Sequence, residues 1–284
     1  MRWKQFFTPV RSLDATAAKG YLSGNPADAV TLLDVRQPEE YESGHLPGAK
    51  LLPLPELSDR LSELDAGKPT IVYCAIGGRS RIASQVLAGK GFAEVYNLSG
   101  GIKAWDNETA VGREDLGLEL FSGAESPEET LVAAYGLEAG LRDFYQNLAP
   151  GIKNDRARRL FEKLAAIETR HQDRIVSEYA RLTGSAPDRE LFARGRVIPA
   201  MEGGLTTAEY LARYRPDLED PADVVSLAMA IEAQALDLYL RAAERAAAAE
   251  NRTMLTQIAR EEKAHLSQLG ELFKHPEMIH GSPG

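Results

Sequence analysis

Two short stretches, E-T-R-H at residues 168–171 and E-K-A-H at residues 262–265, lie 94 residues apart, and each is preceded by a second glutamate 30 residues upstream, Glu138 and Glu232. Seven residues after each of those stands a tyrosine, Tyr145 and Tyr239. The surrounding segments, 127–148, 155–182, 221–248 and 252–274, are rich in Ala, Leu, Glu and Arg at helical period. The pattern predicts four long helices packed as a bundle. The caps repeat as well: Ser126-Pro127 with Glu129 becomes Asp220-Pro221 with Asp223, each an N-cap residue, a proline at the first helical position and an acid at the third. Two helical hairpins are therefore joined by a connection over 183–219, which includes M-E-G-G-L-T-T-A-E-Y from Met201. A connection of that length can run along the bundle and make the second and third helices parallel.

Positions i and i+3 share a helix face, so Glu168 pairs with His171 and Glu262 with His265. Glu138, Glu168, Glu232 and Glu262 all fall near the middle of their helices and can form one layer. Burying four ionised carboxylates costs several kcal/mol each, even after relaxation. Two divalent cations cancel that charge, and four Glu with two neutral His are the donor set that di-iron carboxylate bundles use. A single E-x-x-H pair reads as solvated helix surface. Six residues with matched spacings and matched caps read as a metal site. Tyr145 and Tyr239 lie on nearly the same faces, about 10.5 Å further along. They read equally as outer hydrogen-bond donors to the carboxylates and as core aromatics.

These residues resemble the rubrerythrin branch of the ferritin-like superfamily over about residues 124–275. The resemblance implies a non-haem di-iron centre that reacts with peroxide or dioxygen, held by Glu138, Glu168, His171, Glu232, Glu262 and His265. Manganese or zinc would suit the same ligands. Rubrerythrins often carry a further Glu three residues after the third-helix ligand; this chain has Ala235 there. The resemblance also implies an external reductant, because a rubredoxin-type iron site needs four cysteines and this chain has one.

The first hundred residues follow a different rule. Short apolar runs at 29–35, 70–73 and 94–98 are broken by Gly and Pro and suit buried strands, with helix-like stretches at 57–64 and 81–90 between them. The alternation predicts an α/β domain with a mainly parallel sheet. Cys74 ends one of these strands and opens C-A-I-G-G-R-S, followed by a helical segment. A strand, a glycine-containing loop and a helix N-terminus make a nest of backbone N–H groups that favours an anion, here the sulfur. Ala75, Ile76, Gly77, Gly78 and Ser80 form that loop. Gly77 and Gly78 allow positive φ and close backbone approach, and Arg79 can pair with sulfur-borne charge. A buried, inert cysteine is the competing local reading.

The wider pattern favours the reactive reading. L-L-D-V-R-Q-P-E-E-Y-E-S-G-H-L-P-G-A at 32–49, the C-x-x-G-x-R-S loop, and L-S-G-G-I-K-A-W ending at Trp105 together resemble a single rhodanese domain over about residues 8–108. The resemblance implies that Cys74 accepts a sulfane sulfur as a persulfide from a donor such as thiosulfate, with Asp34, Arg36 and His45 in a mainly structural role.

The organisation expected from sequence is a rhodanese-like domain over 1–108, an acidic, Gly-containing tether over 109–123, a ferritin-like four-helix bundle over 124–275 and a tail over 276–284. A net charge of -9 among 284 residues, with no long basic run, argues against nucleic acid and anionic membranes as partners. The lone cysteine and the absence of a leader-like or membrane-spanning apolar stretch predict a cytoplasmic protein. The leading functional expectation is a sulfurtransferase fused to a di-iron oxidoreductase, linked to peroxide or sulfur stress and dimerising through the helical domain. The alternative is a persulfide sensor whose helical half is a non-catalytic metal-binding or dimerisation module. Catalytic turnover separates the two.

Overall fold

The computed structural model describes residues 9–26, 28–105, 108–185 and 205–274. They fall into two compact units, Met1–Glu114 and Asp115–Gly284.

The first unit is an α/β domain around five parallel strands: β1 (Arg11–Leu13), β2 (Thr31–Asp34), β3 (Lys50–Leu51), β4 (Thr70–Tyr73) and β5 (Val95–Leu98), in the spatial order β1-β5-β4-β2-β3. Every residue of β4 and β5 is buried. Helices cover both faces of such a sheet, so its central strands are continuously apolar and do not alternate. Among the described residues, the α-helices of this unit are α1 (Ala15–Ser23), α2 (Pro38–Ser43) and α3 (Gly78–Gly89). Pairing of Leu33 with Val72 and of Asp34 with Tyr73 brings the carboxyl ends of β2 and β4 side by side. Residues just beyond both strands, Arg36 and Cys74, therefore emerge at one edge, where open α/β sheets place their sites.

The helix-like stretch at 57–64 is not an α-helix. Two short 3-10 turns, Leu54–Glu56 and Leu61–Glu63, stand there instead. Pro53 and Pro55 precede this stretch; within it Arg60, with φ -112° and ψ 18°, leaves helical geometry and divides the run. Leu57, fully buried, still serves the core.

The stretch expected as a tether is packed along most of its described length. Ala110 and His45 exchange backbone hydrogen bonds of 2.8 Å, Gly112 N donates to Glu42 O at 2.8 Å, and Leu51 N donates to Glu114 Oε1 at 2.9 Å. Leu118 and Phe121 are buried in the helical core. A fragment ending at Glu114 keeps the first set and one beginning at Asp115 keeps the second. Both should fold alone. Fragments ending at Glu108 or beginning at Ala124 should be destabilised, the latter by about 3–6 kcal/mol for two lost apolar side chains; comparative urea unfolding of the four fragments checks this.

The second unit comprises α4 (Pro127–Leu148), α5 (Asp155–Thr183), α6 (Thr207–Tyr214), α7 (Pro221–Arg245) and α8 (Ala249–Lys274). Ser126 and Glu129 form a reciprocal capping box, and Asp220 Oδ1 accepts from Ala222 N at 2.9 Å. The direction of α5 follows from its contacts with α8: His171 approaches Glu262, whereas Arg181, further along, reaches Glu250, which lies earlier in its helix. The two helices are antiparallel. Because α8 turns back on α7 through a tight loop, α5 and α7 are parallel. Within the connection, Tyr210 of α6 is fully buried with its ring 6.4 Å from Phe144, near the far end of the bundle from Arg181. The described residues on the two sides of the connection thus lie toward opposite ends of the bundle; residues 186–204, including Met201, lie outside the described residues, as does the tail.

Candidate active site and metal centre

Cys74 is buried directly after β4. Gly77, with φ 95°, turns the chain into α3 and donates its N–H to Cys74 Sγ at 3.2 Å. Gly78 is the first helical residue and has no positive φ, so only one of the two loop glycines uses that freedom. Ser80 Oγ lies 3.5 Å from Sγ and 2.7 Å from Asn97 Oδ1. Its single proton is contested between them. Burial pushes the Cys74 thiol up, but the Ser80 side chain and the backbone N–H groups of Ser80, Ile76 and Gly77 outweigh it and hold the thiol below its ordinary value. Ile76 is 67% exposed, so the loop reaches solvent while the sulfur does not lie open. Ala75 turns its carbonyl the other way, to Lys103 N at 3.2 Å.

Arg79 makes a bidentate pair with Glu40, both contacts at 2.6 Å. Sequence reading aimed this guanidinium at sulfur-borne charge; in the fold its main partner is a carboxylate 39 residues earlier, with Cys74 a lesser contributor to its raised pKa. The Arg79 hydrogen bonds hold the Glu40 carboxyl at about 2. A carboxyl depressed in the folded state stabilises fully above its unfolded value and loses that contribution as pH falls toward 2. The first unit should therefore weaken between about pH 4.5 and 2, less so in Glu40→Gln, as acid unfolding followed by near-ultraviolet circular dichroism would show.

Asp34, Arg36 and His45 build the frame beside the loop. Arg36 donates to Asp34 from Nε and Nη2, and Nη2 also donates to Gly44 O at 2.6 Å. His45 stacks on Tyr41 with ring centroids 3.8 Å apart, and its Nδ1 lies 3.0 Å from Tyr41 O.

Gly101 is a position beside the cysteine loop that the sequence pattern did not single out. At φ +60°, an added Cβ would lie 2.3 Å from Cys74 O and 2.6 Å from Ala75 O. The next residue, Ile102, donates its N–H to Cys74 O at 2.9 Å. The glycine pair in L-S-G-G thus lets a second loop press on the backbone of the cysteine loop. Gly101→Ala should displace that loop and lower sulfur transfer by about 100-fold, the scale on which a misplacement of about 1 Å acts. Steady-state transfer assays on the variant check this.

In the bundle, all six residues singled out from sequence converge. Glu138, Glu168, Glu232 and Glu262 are fully buried, with His171 and His265 nearly so. His171 Nδ1 lies 3.1 Å from Glu138 Oε2, 3.2 Å from Glu168 Oε2 and 3.7 Å from Glu262 Oε1. His265 Nδ1 lies 3.5 Å from Glu232 Oε2 and 3.6 Å from Glu262 Oε2. The two imidazoles stack at 5.1 Å. Three groupings, Glu138/Glu168/His171, Glu168/Glu232/His265 and His171/Glu262/His265, each present donor atoms within 4.8 Å of one another. Glu138 Oε1, Glu232 Oε2, His265 Nδ1 and both oxygens of Glu168 and Glu262 are buried without a hydrogen bond. Such orphaned donor atoms are costly, and a pair of divalent cations would satisfy them. Burial, together with neighbouring carboxylates, raises Glu168 and Glu262 well above the ordinary carboxyl range. Burial also presses Glu232 upward, but the neighbouring His265 and Glu262 side chains and the Tyr145 hydroxyl hold it below its ordinary value.

Tyr145 donates its O–H to Glu232 Oε1 at 2.7 Å, which makes it an outer partner of the carboxylate layer. Tyr239 is fully buried, with its ring 6.3 Å from Phe121. A further carboxylate, Glu261, stands beside His171 and was not legible as a site residue, because a glutamate adjacent to another in a polar helix carries no distinguishing signal.

An α/β domain with a nested cysteine and a ferritin-like bundle with a carboxylate/histidine layer are the two classes that fold and geometry define. The chain belongs to the rubrerythrin family, whose model matches residues 129–273, and its first unit is a rhodanese-like domain, matched over residues 15–108. Among similar proteins, the uncharacterized protein YqhL of Bacillus subtilis is 46% identical over 74 residues, 26% of this chain and 59% of that protein. The chain thus spans less than two thirds of that relative. The thiosulfate sulfurtransferase GlpE of Ectopseudomonas mendocina is 37% identical over 93 residues, 31% of this chain and 85% of that protein. A crystal structure of a rhodanese-like domain protein from Staphylococcus aureus is 30% identical with a TM-score of 0.32, covering 34% of this chain and 91% of that chain. The rubrerythrin domain implies a non-haem iron site. Among the described residues no helix is long and apolar enough to cross a membrane.

Proposed function

We propose that this chain is a sulfurtransferase joined to a di-iron oxidoreductase. In the first unit, the Cys74 thiolate attacks the outer sulfur of thiosulfate or a related donor, the donor's S–S bond breaks, and sulfite leaves with the electron pair. The outer sulfur of the resulting persulfide passes to an acceptor nucleophile, which regenerates the thiolate. The observation that carries this reading is the set of N–H groups and the Ser80 hydroxyl gathered at Cys74 Sγ, which favours an anion on that atom before and after the sulfur is loaded. Thiosulfate as donor is drawn from the named activity of the GlpE relative.

In the second unit, Glu138, Glu168, His171, Glu232, Glu262 and His265 would hold two iron ions, and manganese or zinc suits the same mixed donors. When bound, the pair supplies redox chemistry toward peroxide. The chain's own residues supply the rest. Tyr145 fixes one oxygen of Glu232 and leaves the other directed at the layer, while the surrounding apolar core excludes water and strengthens every charge interaction inside it. Electrons come from an external reductant, since one cysteine cannot build a rubredoxin site. We place the protein in the cytoplasm, acting under peroxide or sulfur stress, as a homodimer through the helical unit.

The test is turnover by the full-length, iron-loaded protein. Catalytic consumption of thiosulfate with a thiol or cyanide acceptor, and of hydrogen peroxide with a reductant, is expected; consumption that stops at one equivalent per chain contradicts it.

A further inference from the structure

His171 has an outer neighbour that the internal repeat does not supply to His265. While Nδ1 of His171 faces Glu138 and Glu168, its Nε2 lies 3.4 Å from Glu261 Oε2 on the opposite helix. That oxygen is buried and makes no hydrogen bond. The other oxygen of Glu261 accepts from Gln257 Nε2 at 2.9 Å and pairs with Arg174. The carboxylate is thus held from outside the layer, with one free oxygen turned toward the imidazole. A metal-ligating imidazole uses one nitrogen for the metal and donates its other N–H to an acceptor, which fixes the ring, selects the tautomer and makes the ligating nitrogen more basic.

The 94-residue shift that relates the two hairpins exchanges Glu168 with Glu262 and His171 with His265. Applied to the outer residues, it relates Glu261 to Ile167, Arg174 to Gln268 and Gln257 to Lys163. Ile167 is buried and has no acceptor atom to offer a ring N–H. The repeat keeps all six inner residues and breaks at the residue behind the histidine.

We infer that Glu261 is the positioning residue for His171 and makes the two metal positions unequal, the one served by His171 binding a divalent cation more tightly than the one served by His265. This rests on the di-metal reading above. Arg174 offsets much of the added charge, so the contribution of Glu261 is chiefly to orient His171 and fix its tautomer.

Cobalt(II), titrated anaerobically into metal-free, full-length protein and followed by its visible absorption, tests the inference. Two ions per chain in two resolved steps are expected. In Glu261→Gln the tighter step should weaken by about 10–100-fold, the usual scale for losing an outer carboxylate, while the weaker step and the thermal midpoint of the metal-free protein hold. A second readout needs no variant: in the zinc-loaded wild type, proton NMR of histidine-labelled protein should show a downfield, exchange-protected Nε2–H resonance for one imidazole and not the other. Equal weakening of both steps, no weakening, or two equivalent imidazole N–H signals overturn the inference. Two cobalt ions with an unchanged Glu261→Gln titration contradict this inference alone, whereas fewer than two in the wild type contradict the di-metal reading and the inference with it.

Discussion

Replacing Cys74 by serine is expected to reduce sulfur transfer to the uncatalysed background. No other thiol exists in the chain to carry a persulfide. A hydroxyl at the same position is a far weaker nucleophile at neutral pH, and the loop holds no base that would activate it. The substitution is nearly isosteric and keeps an acceptor for Gly77 N–H, so the loop should persist. Transfer from thiosulfate to cyanide measures the effect, and iron content measures the other unit, which should be unchanged. A serine variant with normal transfer would remove Cys74 from the reaction.

The second large effect is expected at Glu168. Glu168→Gln takes away an anionic ligand that lies 3.2 Å from His171 and belongs to two of the three donor groupings. Iron binding should fall by more than the roughly 10–100-fold that follows loss of an outer partner. The metal-free protein should respond in the opposite direction. Four fully buried carboxylates repel one another, and burial has already driven Glu168 toward its protonated form. A neutral amide of the same shape spares the folded state the cost of taking up that proton at neutral pH, and stability should rise on the order of a few kcal/mol. Iron analysis and thermal unfolding of the metal-free variant report the two halves of this prediction. A ligand retained for stability alone would lower both quantities.

These effects trace back to features that were unequally legible in the sequence. The six inner residues could be read because helical period, a 94-residue shift and matched caps each point to the same layer. The Cys74 loop could be read because a strand, a glycine turn and a helix follow one another locally. Partners set by tertiary packing could not. Glu40 meets Arg79 only because β2 and β4 pair in parallel and bring α2 to the mouth of the loop. Gly101 matters through an approach to Cys74 O that no local pattern announces. The segment at 57–64 misleads because its leucines recur at helical spacing while the backbone leaves helical geometry at Arg60 between them. In the stretch between the units, acidic residues and glycines suggest a solvated tether, yet Leu118 and Phe121 decide that its second part packs in the helical core.

Central to the proposed function is a buried carboxylate and histidine layer that would hold two metal ions. Anaerobic reconstitution of the full-length, metal-free protein with ferrous iron, followed by removal of loose metal and elemental analysis per chain, tests it directly. Two tightly held irons per chain are predicted, falling sharply in Glu168→Gln. Protein that emerges without iron while keeping its fold would contradict the claim.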